Sequence, residues 1–121
     1  MVANGKFWAV WEEAKRQYNL PDDKKVIAMF REMLNALTLF AAKQHDYSSL
    51  NIKIGGEEGV FIRALDKMMR LVSYYRLGRQ MKNESIDDTW KDLGVYAFIA
   101  LLVRKNEWIL TPEEKDLLGL R

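Results

Sequence analysis

Residues 59–76 read GVFIRALDKMMRLVSYYR, and this stretch decides the fold class. Its charged residues recur at spacings of three and four: Arg63, Asp66, Lys67 and Arg70. At about 100° per residue, these side chains share one face of an α-helix, and most of the remaining positions are apolar. The stretch therefore predicts an amphipathic helix that begins near Glu57, ends near Arg76 and stops at Gly78.

The rest of the chain also shows helical periods on either side of this stretch. We predict further helices over residues 6–18, 23–44 and 85–103, a short last helix from Thr111, and a loop over residues 45–56. Because segments 26–42 and 93–103 are apolar nearly all round, we expect both to be largely buried. The predicted fold is all-α, an antiparallel bundle of four main helices plus a short C-terminal helix, in a single domain over residues 1–121.

Composition excludes several kinds of function. The chain has no cysteine, which excludes disulfides and zinc–thiolate sites, and its single histidine, His45, excludes a multi-histidine metal site. The longest apolar run, residues 93–103, is too short to span a bilayer, which needs about 20 residues. We therefore expect a soluble, cytoplasmic protein with no membrane partner.

A net charge of +2 argues against nucleic acid as the main partner.

The basic residues of the 57–76 helix form the first candidate binding set. Arg63, Lys67 and Arg70 could hold a phosphate, because arginine offers a planar fork of donors and lysine a compact charge. The alternative is a solvated polar face in which Asp66 pairs with one of the arginines three or four residues away. Both interpretations remain open on this pattern.

The start of the 85–103 helix supplies carboxylates at four-residue spacing. Glu84, Asp88 and Asp92 fall on one line, and oxygen ligands of this kind suit Mg²⁺. The alternative is an acidic helix start that the helix dipole favours. Asp92 directly precedes the apolar run, so its carboxylate needs a cation or hydrogen-bond donors. Because a short connection makes these two helices antiparallel neighbours, we predict an arginine or lysine within hydrogen-bonding reach of Asp88 or Asp92.

A third candidate set lies where the predicted second helix ends: Lys43, His45, Asp46 and Tyr47. These residues could border the base or sugar of a ligand. The alternative is an ordinary polar surface loop.

Three segments together resemble a known family. KQHDY over residues 43–47, GVFIRALDKMMRL over 59–71 and ESIDDTWKDLGVYA over 84–97 occur in this order. They contain the signatures R-x-x-D-K-x-x-R-L and S-x-x-D-T-x-x-D-L-x-x-Y, and they resemble the nucleotide modification associated domain 1 family of bacteriophages and bacteria. The resemblance covers about residues 43–102. The chain is more distantly similar to the MazG-type all-α nucleoside triphosphate pyrophosphatases, which hold Mg²⁺ between carboxylates on two neighbouring helices.

The resemblance implies a nucleotide-binding domain linked to nucleotide or DNA base modification, in the host cytoplasm if the chain is phage-encoded. In a Mg²⁺-dependent nucleotide hydrolase, Asp88 and Asp92 would be catalytic and would bind the metal together with Glu84. The nucleotide would contact the basic face and the loop: Lys43, His45, Asp46, Tyr47, Arg63, Asp66, Lys67 and Arg70. The alternative is a non-catalytic protein that sequesters a nucleotide or signalling molecule or binds a host protein. Apolar residues on the first helix leave a homodimer open.

Overall fold

The computed structural model describes residues 4–42, 49–80, 82, 84–117 and 119. Those residues form five α-helices and no β-strand: α1 Asn4–Tyr18, α2 Lys24–Ala42, α3 Ser49–Leu77, α4 Ile86–Arg104 and α5 Pro112–Leu117. The predicted all-α class, with four main helices and a short fifth one, is confirmed. None of the helices in the described ranges is both long and apolar enough to cross a membrane.

The chain divides into two compact units, Met1–Lys43 and Gln44–Arg121. The single domain over residues 1–121 stays a prediction. The first unit is built around aromatic side chains of α1 and α2. Phe7 and Trp11 are fully buried, and their ring centroids lie 5.9 and 5.5 Å from that of Phe30 on α2. The guanidinium of Arg31 covers the Phe7 ring at 4.2 Å, so a cation–π contact closes this small core.

The predicted burial of residues 26–42 is wrong. No residue of α2 is buried, and a row of apolar side chains on it is about half exposed or more, namely Met29, Met33 and Leu37. Within this unit α2 has α1 as its partner helix, and one 15-residue helix can cover only one face of another. The sides of α2 that α1 does not cover therefore stay exposed, although their residues are apolar.

The second unit begins with α3, which corrects the predicted loop over residues 45–56. Residues 49–55 are helical, and Gly56 forms a kink inside α3 with φ 64° and ψ −160°. Ile52 is buried in this segment, and the Ser49 carbonyl oxygen accepts a hydrogen bond of 3.1 Å from Trp108 Nε1. These distant contacts hold the segment in place and outweigh the poor helix propensity of the paired glycines. Residues 45–48 lie outside the described ranges.

The ends of the helices follow the predicted capping chemistry. Gly78 follows α3 with φ 66°, a left-handed conformation that glycine adopts without strain. Ser85 Oγ accepts a 3.0 Å hydrogen bond from the Asp88 backbone N–H and so caps α4. Thr111 Oγ1 accepts one of 3.2 Å from the backbone N–H of Glu114 and caps α5. These local signals fix where each helix of the second unit begins or ends.

The shared core of the second unit includes one face each of α3 and α4. Val60 and Leu71 on α3 are buried, as are Val95 and Ile99 on α4. The predicted burial of residues 93–103 is therefore only partly right, because other apolar residues of α4 are about half exposed, including Phe98 and Leu101. Pairing two helices buries the facing stripes and leaves the outer faces open.

Candidate functional site

A lysine on α3 joins two carboxylates at the start of α4, and this cluster is the candidate site. Lys67 Nζ lies 2.5 Å from Glu84 Oε1 and 2.9 Å from Asp92 Oδ2. At the other end of the same helix pair, Arg104 Nη1 lies 2.9 Å from Glu57 Oε2, as antiparallel helices require. The predicted contact between a basic residue of α3 and Asp92 is confirmed, and it supplies the cation that this carboxylate needs.

Thr89 completes the cluster from inside α4. The residue is fully buried. Its hydroxyl donates a hydrogen bond to the Glu84 carboxylate, and the same Oγ1 atom lies 3.0 Å from the Ser85 carbonyl oxygen. Thr89 was not among the predicted site residues. A signal was available, because Thr89 stands three residues before Asp92 and therefore shares its helix face. A hydroxyl on that face can support a carboxylate that would otherwise be under-satisfied.

Burial and hydrogen bonding act in opposite directions on the ionisation of this cluster. Burial alone lowers the pKa of Lys67, but its hydrogen bonds to Glu84 and Asp92 outweigh burial, and the pKa is raised above its ordinary value. Burial alone raises the pKa of Glu84, but hydrogen bonds from Lys67 and Thr89 outweigh it, and the pKa is lowered. Only 14% of the Lys67 side chain and 17% of the Glu84 side chain are exposed. The ion pair is thus partly desolvated and remains charged at neutral pH.

We expect the cluster to make stability depend on pH at the acidic end. The folded pKa of Glu84 lies below its ordinary 4.5, so its stabilising effect is complete above that value and is lost as pH falls through the lowered pKa. At the alkaline end, the pKa of Lys67 is raised above its ordinary 10.5. The stabilisation from its charge is therefore complete below pH 10.5 and is lost only as pH rises through the raised pKa.

Denaturant unfolding of the wild type and of Glu84→Gln between pH 3 and 7 measures how the contribution of Glu84 to the free energy of unfolding falls with pH. The wild type should be more stable by about 1–3 kcal/mol at pH 7, and the difference should shrink towards pH 3. Glu113→Gln, at the exposed start of α5, is the control and should follow the wild type. A Glu84→Gln difference that stays constant with pH would contradict the ion pair.

The remaining members of the predicted basic face flank the cluster. Arg70 lies one turn from Lys67 and pairs loosely with Asp66, at 3.7 Å between Nε and Oδ2, so this pair follows the solvated-face alternative. The positive charge of Arg70 also helps to lower the pKa of Glu84, after the larger effects of burial, Lys67 and Thr89. Arg63 lies one turn to the other side of Lys67 and is half-buried. Two arginines therefore bracket an ammonium group that is already paired.

Two of the three predicted metal ligands are paired with the same lysine. Glu84 and Asp92 share the Lys67 ammonium, and Asp88 is exposed. Within the described ranges, no three histidine or carboxylate side chains are grouped so that they could hold a metal ion. With Lys67 in this position, the residues do not fit a resident Mg²⁺. The predicted metal-binding roles of Glu84, Asp88 and Asp92, and the catalytic roles of Asp88 and Asp92, stay predictions.

The predicted loop residues, Lys43, His45, Asp46 and Tyr47, lie outside the described ranges, so their part in the site stays a prediction. A separate shallow cavity of about 160 Å³ is lined by Lys53, Val103, Asn106 and Trp108. It includes none of the predicted site residues. It is also smaller than the roughly 300–1,000 Å³ typical of small-molecule sites. The Lys67 cluster is therefore the better candidate.

Comparison of the chain with models of known protein families, with curated proteins and with solved structures gave no match. The resemblance to the nucleotide modification associated family stays a prediction, and a functional assignment depends on the geometry of the site.

Proposed function

We propose that the polar face shared by α3 and α4 binds a nucleotide or a nucleotide-derived small molecule. One observation carries the proposal: both signatures of the family resemblance contribute to the same cluster. Lys67 belongs to the first signature, and Thr89 and Asp92 belong to the second. The two signatures thus supply side chains that pair with each other in one half-buried polar network. This pairing explains why the two signatures occur together in one chain.

In this proposal Lys67 positions the site and the arginines contact the ligand. The Lys67 ammonium is already neutralised by two carboxylates. Arg63 and Arg70 are seven residues apart, so helical spacing places them on one face of α3, on either side of Lys67. Their Cα atoms are about 10 Å apart along α3, at 1.5 Å per residue, so two long side chains can converge on one phosphate group or chain. The Arg70–Asp66 pair is exposed and weak, and a phosphate can replace the carboxylate as the partner of Arg70.

The geometry favours binding without turnover over hydrolysis. The Lys67 amine is protonated and cannot act as a general base, and Glu84 and Asp92 are both engaged in the same contact. In this proposal Mg²⁺ arrives bound to the phosphates of the nucleotide. The exposed carboxylate of Asp88 could then contact the Mg²⁺ ion. A nucleotide held in this way would be sequestered or presented to another protein. The proposed setting is nucleotide or DNA base modification in the cytoplasm, or in a host cytoplasm for a phage protein.

A thermal-shift screen tests this proposal most simply. Ribonucleoside and deoxyribonucleoside mono-, di- and triphosphates are added to the full chain, with MgCl₂ or with EDTA. A ligand at 100 times its Kd should stabilise the folded chain by about 2.7 kcal/mol, a shift of several degrees. We expect at least one nucleotide to raise the Tm in EDTA as well.

Release of phosphate or pyrophosphate is measured on the same samples. We expect none, and release that requires Mg²⁺ would favour the hydrolase alternative instead. A screen in which no nucleotide changes the Tm would contradict nucleotide binding.

A further inference from the structure

A row of apolar side chains runs along α3 on a face outside the described core. Its five members alternate at spacings of four and three and are called the α3 row: Phe61, Leu65, Met68, Val72 and Tyr75. Each is between 40% and 62% exposed, whereas Val60 and Leu71 on the neighbouring face are buried. Exposed apolar residues are common singly, but a continuous row of them marks an interaction surface.

The spacing of the α3 row is that of a helix-pairing seam. Alternate steps of four and three residues correspond to the a and d positions of a heptad, which pack against a second helix at about 20°. Ile62 and Met69 occupy the adjoining e positions and are also more than half exposed, which widens the seam. From Phe61 to Tyr75 the row is about 21 Å long, at 1.5 Å per residue.

The two ends of the α3 row carry opposite charges. Glu58 stands three residues before Phe61, and Arg76 stands directly after Tyr75 in the last turn of α3; both are exposed. Antiparallel pairing of two copies places Glu58 of each near Arg76 of the other, whereas parallel pairing brings like charges together.

We propose that two copies of this chain pair antiparallel along the α3 row, with Met68 at the two-fold axis. Met68 is the middle of the five positions, so antiparallel pairing sets Phe61 against Tyr75 and Leu65 against Val72. The row is thus complementary to itself in shape and in end charge, as a two-fold interface requires. Arg63 projects from the far side of α3, so the pairing goes beyond the nucleotide site and does not depend on it.

The exposed area of the seam sets how closely two copies have to pack. The seven apolar side chains of the seam are each 40–62% exposed, so a second helix laid along them can cover a continuous apolar surface. Specific interfaces bury about 1,200–2,000 Å² in total, so nearly all of the exposed seam of each copy has to be covered by its partner.

Sedimentation equilibrium of the full chain tests the pairing. The wild type should have twice the monomer mass, and Met68→Glu should raise the dimer Kd by at least about 100-fold, because it places two unpaired carboxylates at the axis. The control is Ile109→Glu, an equally drastic change at a side chain that is 74% exposed and outside the row, and it should remain dimeric. A monomeric wild type, or a Met68→Glu variant that still dimerises, would overturn the proposal.

Cysteine cross-linking tests the same proposal without a destabilising charge, because the chain has no cysteine of its own. Under oxidation, Met68→Cys should form a disulfide-linked dimer. Phe61→Cys alone should not, but a mixture of Phe61→Cys with Tyr75→Cys should give the mixed dimer. Failure of Met68→Cys to cross-link would overturn the pairing, and self-linkage of Phe61→Cys would overturn the antiparallel arrangement.

Discussion

Replacing Lys67 with methionine is expected to lower the free energy of unfolding by roughly 2–3 kcal/mol, between the values for exposed and fully buried ion pairs. Methionine keeps most of the apolar stem but removes the ammonium group that lies between Glu84 and Asp92. The two carboxylates are then left close together, partly desolvated and without a counter-ion. Their repulsion and incomplete hydration, more than lost packing, account for the cost.

The chain offers a matched control for this substitution. Lys15 on α1 also bridges two carboxylates, Glu12 at 3.0 Å and Asp22 at 3.1 Å, but both of those are well exposed. Lys15→Met should therefore cost much less, because water solvates the remaining carboxylates.

A triple variant separates charge from packing. Lys67→Met combined with Glu84→Gln and Asp92→Asn removes the unpaired charges and should regain most of the stability. Equilibrium urea unfolding at pH 7 measures all of these variants. Equal losses for Lys67→Met and Lys15→Met would contradict the role of burial in the cluster.

Local chemistry explains why so much of the second unit could be predicted. Gly78 and Ser85 end and begin helices through their own backbone and side-chain geometry, which short stretches of sequence determine. The short connection between α3 and α4 then makes them antiparallel neighbours, and Lys67 and Asp92 meet on the facing sides of the two helices. The contact between two charged faces therefore follows from local structure and topology.

Properties that depend on the partners of a helix were predicted less well. The apolar sequence of α2 indicated burial, but burial requires neighbours on every side, and Met29 and Leu37 remain exposed. The helical segment before Gly56 depends on the distant Trp108, which no local pattern reveals. The pairing of Lys67 with two carboxylates was also not foreseen, because spacing alone does not show which of several cations reaches them. These features depend on tertiary contacts.

Replacing Arg63 and Arg70 together with glutamine is expected to weaken nucleotide affinity at least about 100-fold. A hydrogen bond to a charged group contributes about 1.5–3 kcal/mol, and the proposal assigns at least one such bond to each guanidinium. Stability should change little, because Arg70 has a weak exposed pair with Asp66 and affects Glu84 less than Lys67 and Thr89 do. Arg16→Gln is the control, since it also breaks an exposed arginine–carboxylate pair, with Glu13, but on α1.

Calorimetric titration of the wild type and these variants, with the nucleotide that gives the largest thermal shift, tests the central claim most directly. Titrations in EDTA and in MgCl₂ separate direct phosphate binding from binding through a metal. We predict that the wild type and Arg16→Gln bind the nucleotide in EDTA, and that the Arg63→Gln, Arg70→Gln double variant loses this binding while it stays folded. Undiminished affinity in the folded double variant would contradict the claim that this face of α3 holds the phosphates.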